Sequence, residues 1–109
     1  MDKYAIIYTP NFEIQLKEII HYISYQLSNP QAANRLLDII ELKTKNLISF
    51  PYIYPVCKEN PWNKRGLRKL IINSFIIYYF TDEANKHIYL ISIIYSRRDQ
   101  LSQLNKLDF

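Results

Sequence analysis

Apolar residues fall at Phe12, Leu16, Ile19, Ile20, Ile23 and Leu27, spaced as on one face of a helix. This period predicts a single amphipathic α-helix ending near Leu27. Thr9-Pro10-Asn11, just before it, combines a stop with helix-start chemistry. Ser28-Asn29-Pro30 punctuates the chain again. Asn29 can cap, and Pro30 suits the first turn of a new helix, where a missing N–H costs nothing. Ala33, Leu36, Leu37, Ile40 and Leu47 then mark the buried stripe of a second helix, with Glu41, Lys43 and Lys45 mostly outside it. Two helices joined by a tight turn form a helical hairpin.

Elsewhere the pattern is that of strands. Lys3 to Tyr8 is a short run rich in Ile and Tyr. Phe50 to Pro61 holds Pro51, Pro55 and Pro61, which forbid a regular helix or a central strand, and Trp62 to Gly66 continues irregular and turns basic. Leu67 to Ile72, Phe75 to Phe80 and His87 to Tyr95 read as three strands, linked by Asn73-Ser74 and by the polar stretch Thr81 to Lys86. Tight links between consecutive strands imply antiparallel pairing. Ser96 to Phe109 reads as a short helix or tail, with Ser96 and Asp99 spaced as a capping box. The expectation is one α+β domain over residues 1–109, ordered β-α-α-β-β-β. The helical hairpin should pack on one face of a small, mostly antiparallel sheet and leave the other face partly open. The loop aromatics Phe50, Tyr52, Tyr54 and Trp62 are expected to anchor the loop to the core.

Composition removes several classes of function. Gly66 is the only glycine, so glycine-rich phosphate-cradling loops of the Rossmann or P-loop kind are excluded. Cys57 is the only cysteine, which rules out an internal disulfide, and with only His21 and His87 a Cys/His zinc site is not expected. Cys57 reads as a spectator thiol, since neither histidine lies near it in sequence to act as its base. No metal or cofactor is called for. No targeting segment is visible, and the longest nearly apolar run, Leu70 to Phe80, is too short to span a membrane. The expected location is the cytoplasm.

Charge sharpens the picture. Met1 to Val56 carries five Lys or Arg and five acids, whereas Cys57 onward carries nine Lys or Arg against five acids. The formal charge of +4 therefore sits entirely in the second half. Lys64, Arg65, Arg68 and Lys69 surround the start of the second strand, and Arg97 and Arg98 follow the last one. Facing one concave surface, the two clusters would steer a polyanion by long-range attraction and counterion release, and nearby exposed tyrosines could stack on bases. RNA is the expected polyanion. A solvated basic face, or one serving an acidic protein, is the alternative.

Taken in order, these features resemble the RelE/ParE superfamily of bacterial type II toxins over nearly the whole chain. The matching pieces are the strand closing on Tyr8-Thr9-Pro10, the helix with Leu16, Ile19 and Tyr22-Ile23, and the start Asn29-Pro30-Gln31-Ala32-Ala33 with Arg35 just after. They continue with Leu47-Ile48-Ser49-Phe50-Pro51, Leu67-Arg68, Ile76-Ile77-Tyr78-Tyr79 and the closing Ile93-Ile94-Tyr95-Ser96-Arg97-Arg98-Asp99. The resemblance implies a compact toxin held inactive in a hetero-oligomer by a cognate antitoxin. It also implies one of two activities: cleavage of mRNA on the ribosome, or inhibition of DNA gyrase without cutting.

Metal-free RNA cleavage needs a base for the 2′-hydroxyl, cations for the extra phosphate charge and an acid for the 5′-oxygen. By resemblance, Arg68 and Arg98 match the family positions for the cations, and Arg97 competes with Arg98; Lys64, Arg65 and Lys69 could supply further RNA-binding cations or, with a depressed pKa, a base. The proton-transfer groups are not evident. RelE-like members often carry a tyrosine soon after the terminal arginine, or a His-Tyr pair, and residues 99–109 hold neither. Glu59 is a further candidate base and Tyr95 a candidate acid, while His87 reads as an ordinary surface histidine. The ribonuclease reading leads, with gyrase inhibition or a binding-only role as alternatives.

Overall fold

The computed structural model describes residues 3–96. Four strands and two helices follow in the order expected from the sequence: β1 (Ala5–Tyr8), α1 (Pro10–His21), α2 (Pro30–Leu47), β2 (Arg68–Ile72), β3 (Phe75–Asp82) and β4 (His87–Tyr95). The expected tail helix from Ser96 lies outside the described residues. The strands form one mixed sheet in the order β1-β4-β3-β2, with β1 parallel to β4 and the other pairs antiparallel.

Local chemistry explains the element ends. Thr9 caps α1 by accepting from the Phe12 N–H, so the helix begins at Pro10, two residues before the apolar stripe does. Past His21 the helix widens into a π-turn over Tyr22–Gln26, where the Leu27 N–H reaches back to the Tyr22 carbonyl at 3.0 Å. Ser28 turns left-handed at φ 50° to break the helix, and Asn29 caps α2 by accepting from the Ala32 N–H. Asn73, at φ 52°, supplies the left-handed corner between β2 and β3, which an asparagine tolerates better than most residues.

Both faces of the sheet are occupied. Phe12 of α1 and Leu36, Ile40 and Leu47 of α2 pack with Leu70, Ile72, Ile77, Tyr79, Ile88, Leu90 and Ile93 as the main core. On the opposite face Cys57 and Trp62 of the long loop close over Leu67, Ile76, Tyr78 and Ile94. The loop covers part of this second face and leaves the rest open, as expected: Ile71, which pairs with Ile76 on that side, is 61% exposed. The loop aromatics divide. Trp62 is buried and Tyr54 packs on the main core, but Phe50 and Tyr52 are exposed and do not anchor by burial. Leu37 and Leu27 also lie at the surface, outside the stripes assigned to them.

One irregularity joins the sheet to α1. Tyr78 pairs with Ser92 and Tyr79 with Leu90, so Ile91 is an extra residue bulged out of β4. Side chains from the start of α1 satisfy the disturbed backbone. The Thr9 hydroxyl donates to the Leu90 carbonyl at 2.7 Å, and the Asn11 amide donates to the Ile91 carbonyl at 3.0 Å. The Gln15 amide oxygen accepts from the Ser92 hydroxyl at 2.8 Å and from the Ile93 N–H at 3.0 Å.

Candidate functional site

The long loop is fastened to the sheet at several points. The Tyr79 hydroxyl donates to the Pro51 carbonyl at 3.0 Å, and the Lys69 N–H donates to the Pro55 carbonyl at 3.1 Å. Arg68, at the first position of β2, reaches the same segment through its side chain. Its Nη1 donates to the carbonyls of Tyr54 at 2.6 Å and Tyr52 at 3.3 Å, and its guanidinium carbon stands 5.0 Å from the centre of the Tyr52 ring. A guanidinium over an aromatic face is held by the ring quadrupole as well as by its hydrogen bonds.

Tyr52 is itself held. Its hydroxyl donates to Glu83, in the turn between β3 and β4, at 2.5 Å. The Tyr4 hydroxyl reaches the same carboxylate at 2.7 and 2.8 Å, and the Lys86 ammonium pairs with it at 2.5 Å. Lys86 also stands 5.0 Å from the centre of the Tyr4 ring. One carboxylate thus ties together the residue before β1, the loop and the β3–β4 turn. The Lys86 hydrogen bond, helped by the Tyr52 and Tyr4 hydroxyls, holds the Glu83 carboxyl down at about 2. The bond to that anion, with some burial, pushes the Tyr52 phenol up to about 12.

Strand alternation separates two residues that adjoin in sequence. Arg68 pairs with Tyr79, of the main core, and Lys69 pairs with Tyr78, of the second cluster, so their side chains leave opposite faces of the sheet. Lys69 lies on the side of Cys57 and Glu59. The buried Cys57 thiol donates to Glu59 at 2.7 Å, and burial followed by that bond pushes the thiol up to about 11. Glu59 is lowered, first by the thiol and further by the Lys69 charge. A thiol so raised is not a nucleophile near neutral pH, which agrees with its reading as a spectator. A carboxylate so lowered is a weak base.

Lys64 and Arg65 are exposed on the turn that leads into β2. That turn is built on the Lys64 and Arg65 N–H groups donating to the Pro61 carbonyl, and it ends at Gly66, whose φ of 79° favours glycine. Arg97 and Arg98 lie outside the described residues. The chain reaches them from Ser96, whose N–H donates to the Ser74 carbonyl beside the β2–β3 corner. Arg68 sits at the other end of β2, four residues from Ile72, or about 13 Å at the rise of a strand. His87 is half-buried at the start of β4, with Nδ1 3.3 Å from the Tyr89 hydroxyl. Tyr95 is exposed rather than packed in the core.

Tyr95 and Phe75 instead line an open groove with Ile19, Tyr22, Ile23 and Leu27, about 1270 Å³ in volume. Its mostly apolar lining suits packing more than proton transfer. Among the described residues no group of three potential metal ligands occurs, and no helix is long and apolar enough to cross a membrane.

The surface around Arg68 therefore offers a fixed cation bedded on an aromatic ring. Sequence reasoning found Arg68 but missed Tyr4, Tyr52, Glu83 and Lys86 as its surroundings. Glu83 and Lys86 show an i,i+3 charge pair in the sequence, but their tyrosine partners come from segments 79 and 31 residues away. Residues 6–100 match the model of a family described as ParE toxin of type II toxin-antitoxin system, parDE. A search of curated proteins found no significant match.

Proposed function

The chain belongs to the ParE toxin family of type II toxin–antitoxin systems, within the RelE/ParE superfamily, and from that premise we propose that it arrests growth by cleaving mRNA on the ribosome. Its antitoxin holds it inactive in a hetero-oligomer, and its site of action is the cytoplasm. The observation that carries the reading is Arg68 fixed on the Tyr52 ring at the head of β2. A guanidinium so placed meets the requirement for a rigid cation at a phosphate that gains charge as the 2′-hydroxyl attacks. Arg98, with Arg97 as its competitor, is assigned the second cation, and Lys64 and Arg65 are assigned contacts along the RNA; Lys69, expected among these contacts, leaves the opposite face of the sheet from Arg68, toward Glu59, and does not share its surface.

The second reading is inhibition of DNA gyrase without cleavage. Two observations favour it: the description of the matched family, and the use of Arg68 Nη1 in holding the loop. Glu83, Tyr52, Cys57 and Glu59 are also all shifted away from the range in which a general acid or base works near neutral pH. Primer extension on a reporter mRNA after brief induction, run beside a strand-break assay on plasmid DNA, separates the two. New 5′ ends within the translated region with intact DNA are expected. Intact mRNA with gyrase-linked DNA breaks would overturn the ribonuclease reading.

A further inference from the structure

We propose that Tyr52 and Glu83 are positioning residues, which hold the Arg68 guanidinium where it contacts a phosphate of single-stranded RNA. The proposal rests on the RNA reading above.

An arginine on a strand end loses rotamer entropy when it is fixed, and a ligand must supply that cost unless the protein already has. Here the protein supplies it twice. The Tyr52 and Tyr54 carbonyls fix one nitrogen, and the guanidinium carbon rests over the Tyr52 ring, 5.0 Å from its centre. The ring is useful only if it stays in place, and Tyr52 is exposed on a proline-rich loop. Glu83 supplies the restraint by taking the Tyr52 hydroxyl at 2.5 Å. Tyr4 and Lys86 in turn fix Glu83 and offset its charge. The series runs from cation to ring to anion, and each member holds the next.

The role of Glu83 carries an unusual sign. A carboxylate near an RNA-binding surface repels phosphate, so as a bystander its removal would tighten binding. As a positioning residue its removal loosens Tyr52, frees Arg68 and weakens binding. Glutamine in its place keeps an acceptor for the tyrosine hydroxyl while losing the charge.

The experiment measures the affinity of the purified full chain and its variants for a mixed-sequence single-stranded RNA oligonucleotide from 50 to 400 mM salt. Thermal melting runs alongside to check folding. Each phosphate contact contributes about 0.7 to the slope of log affinity against log salt on single strands. Arg68→Ala should lower the slope by about 0.7, which is about fivefold weaker binding at 0.1 M relative to 1 M salt. Tyr52→Ala should lower it by a similar amount, and the double variant should fall no further than Arg68→Ala alone. Glu83→Ala should bind more weakly than wild type, and Glu83→Gln should restore binding. A merely structural contribution would move the melting temperature and leave the slope unchanged. If Arg68→Ala loses slope while Tyr52→Ala and Glu83→Ala keep it, positioning is refuted and the Arg68 contact stands. If Arg68→Ala itself keeps the slope, the RNA contact fails and the proposal fails with it.

Discussion

Gln15→Leu should cost this protein about 2 kcal/mol of stability, because one amide oxygen satisfies two donors at the bulge of β4. Those donors are the Ser92 hydroxyl at 2.8 Å and the Ile93 N–H at 3.0 Å. Ser92 and Ile93 are 2% and 1% exposed, so water does not easily replace the lost acceptor. The serine hydroxyl can rotate toward another acceptor, but the backbone N–H is fixed by the bulge. A buried donor left without a partner costs about 1–3 kcal/mol, and the serine bond adds a fraction of another. Leucine is close in size to glutamine, so little of the effect comes from a cavity. For a domain of this length the loss corresponds to about 8–16 °C in melting temperature. The assay is urea unfolding followed by the fluorescence of Trp62, the single tryptophan, which is buried in the second cluster. The midpoint should fall with the denaturant slope unchanged. Gln15→Glu, which keeps an acceptor in place, should lose less than Gln15→Leu. A Gln15→Leu variant within about 0.5 kcal/mol of wild type would refute the claim that α1 holds the bulge.

Other outcomes follow from the same contacts. Tyr78→Phe should be neutral or stabilising in chemical denaturation, since among the described residues the buried Tyr78 hydroxyl has no hydrogen-bond partner to lose. Gly66→Ala should destabilise by about 1–2 kcal/mol; the cause is the φ of 79° and not crowding, because the nearest atom to an added Cβ is 3.9 Å away, and a variant as stable as wild type would contradict this. The Glu83 carboxyl should titrate in carbon-13 NMR near the value of about 2 that its three donors impose. Its contribution to stability is then present above the ordinary glutamate range, falls away as pH drops toward about 2, and a midpoint above 4 would break the account. Cys57, pushed up to about 11, should resist thiol reagents at pH 8 in the folded protein and react at an ordinary rate in urea.

The helices were legible because their signals are local. Asn29-Pro30 caps and starts α2 as read, and the stripe Ala33, Leu36, Ile40 and Leu47 is buried as read. Leu37 falls at the edge of that stripe and is exposed, which periodicity alone does not resolve. The loop aromatics were less legible, because burial there depends on where a turn folds back. Trp62 meets Tyr78 across the second face, while Phe50 points away from both cores. At the candidate site Arg68 could be singled out from its place at the head of a strand. That it leaves one face and Lys69 the other follows from strand alternation once the register is known. The surroundings of Arg68 could not be read, because Tyr4, Tyr52 and Glu83 meet only after the parallel β1–β4 pairing and the β3–β4 turn bring them together.

The parallel pairing of β1 with β4 also sets an order of events during synthesis. β1 emerges first but has no neighbour in the sheet until residues 87–90 arrive. The Gln15 bond to Ser92 waits for the same strand, across 77 residues. Contacts this distant form late, since loop-closure entropy must be overcome before they reward the chain. A nascent chain stopped anywhere in its first three strands therefore lacks the completed sheet and the bulge it carries. A truncated translation product is thereby kept from presenting the finished toxin surface, and a ribosome making this protein meets the active fold only when the fourth strand is out.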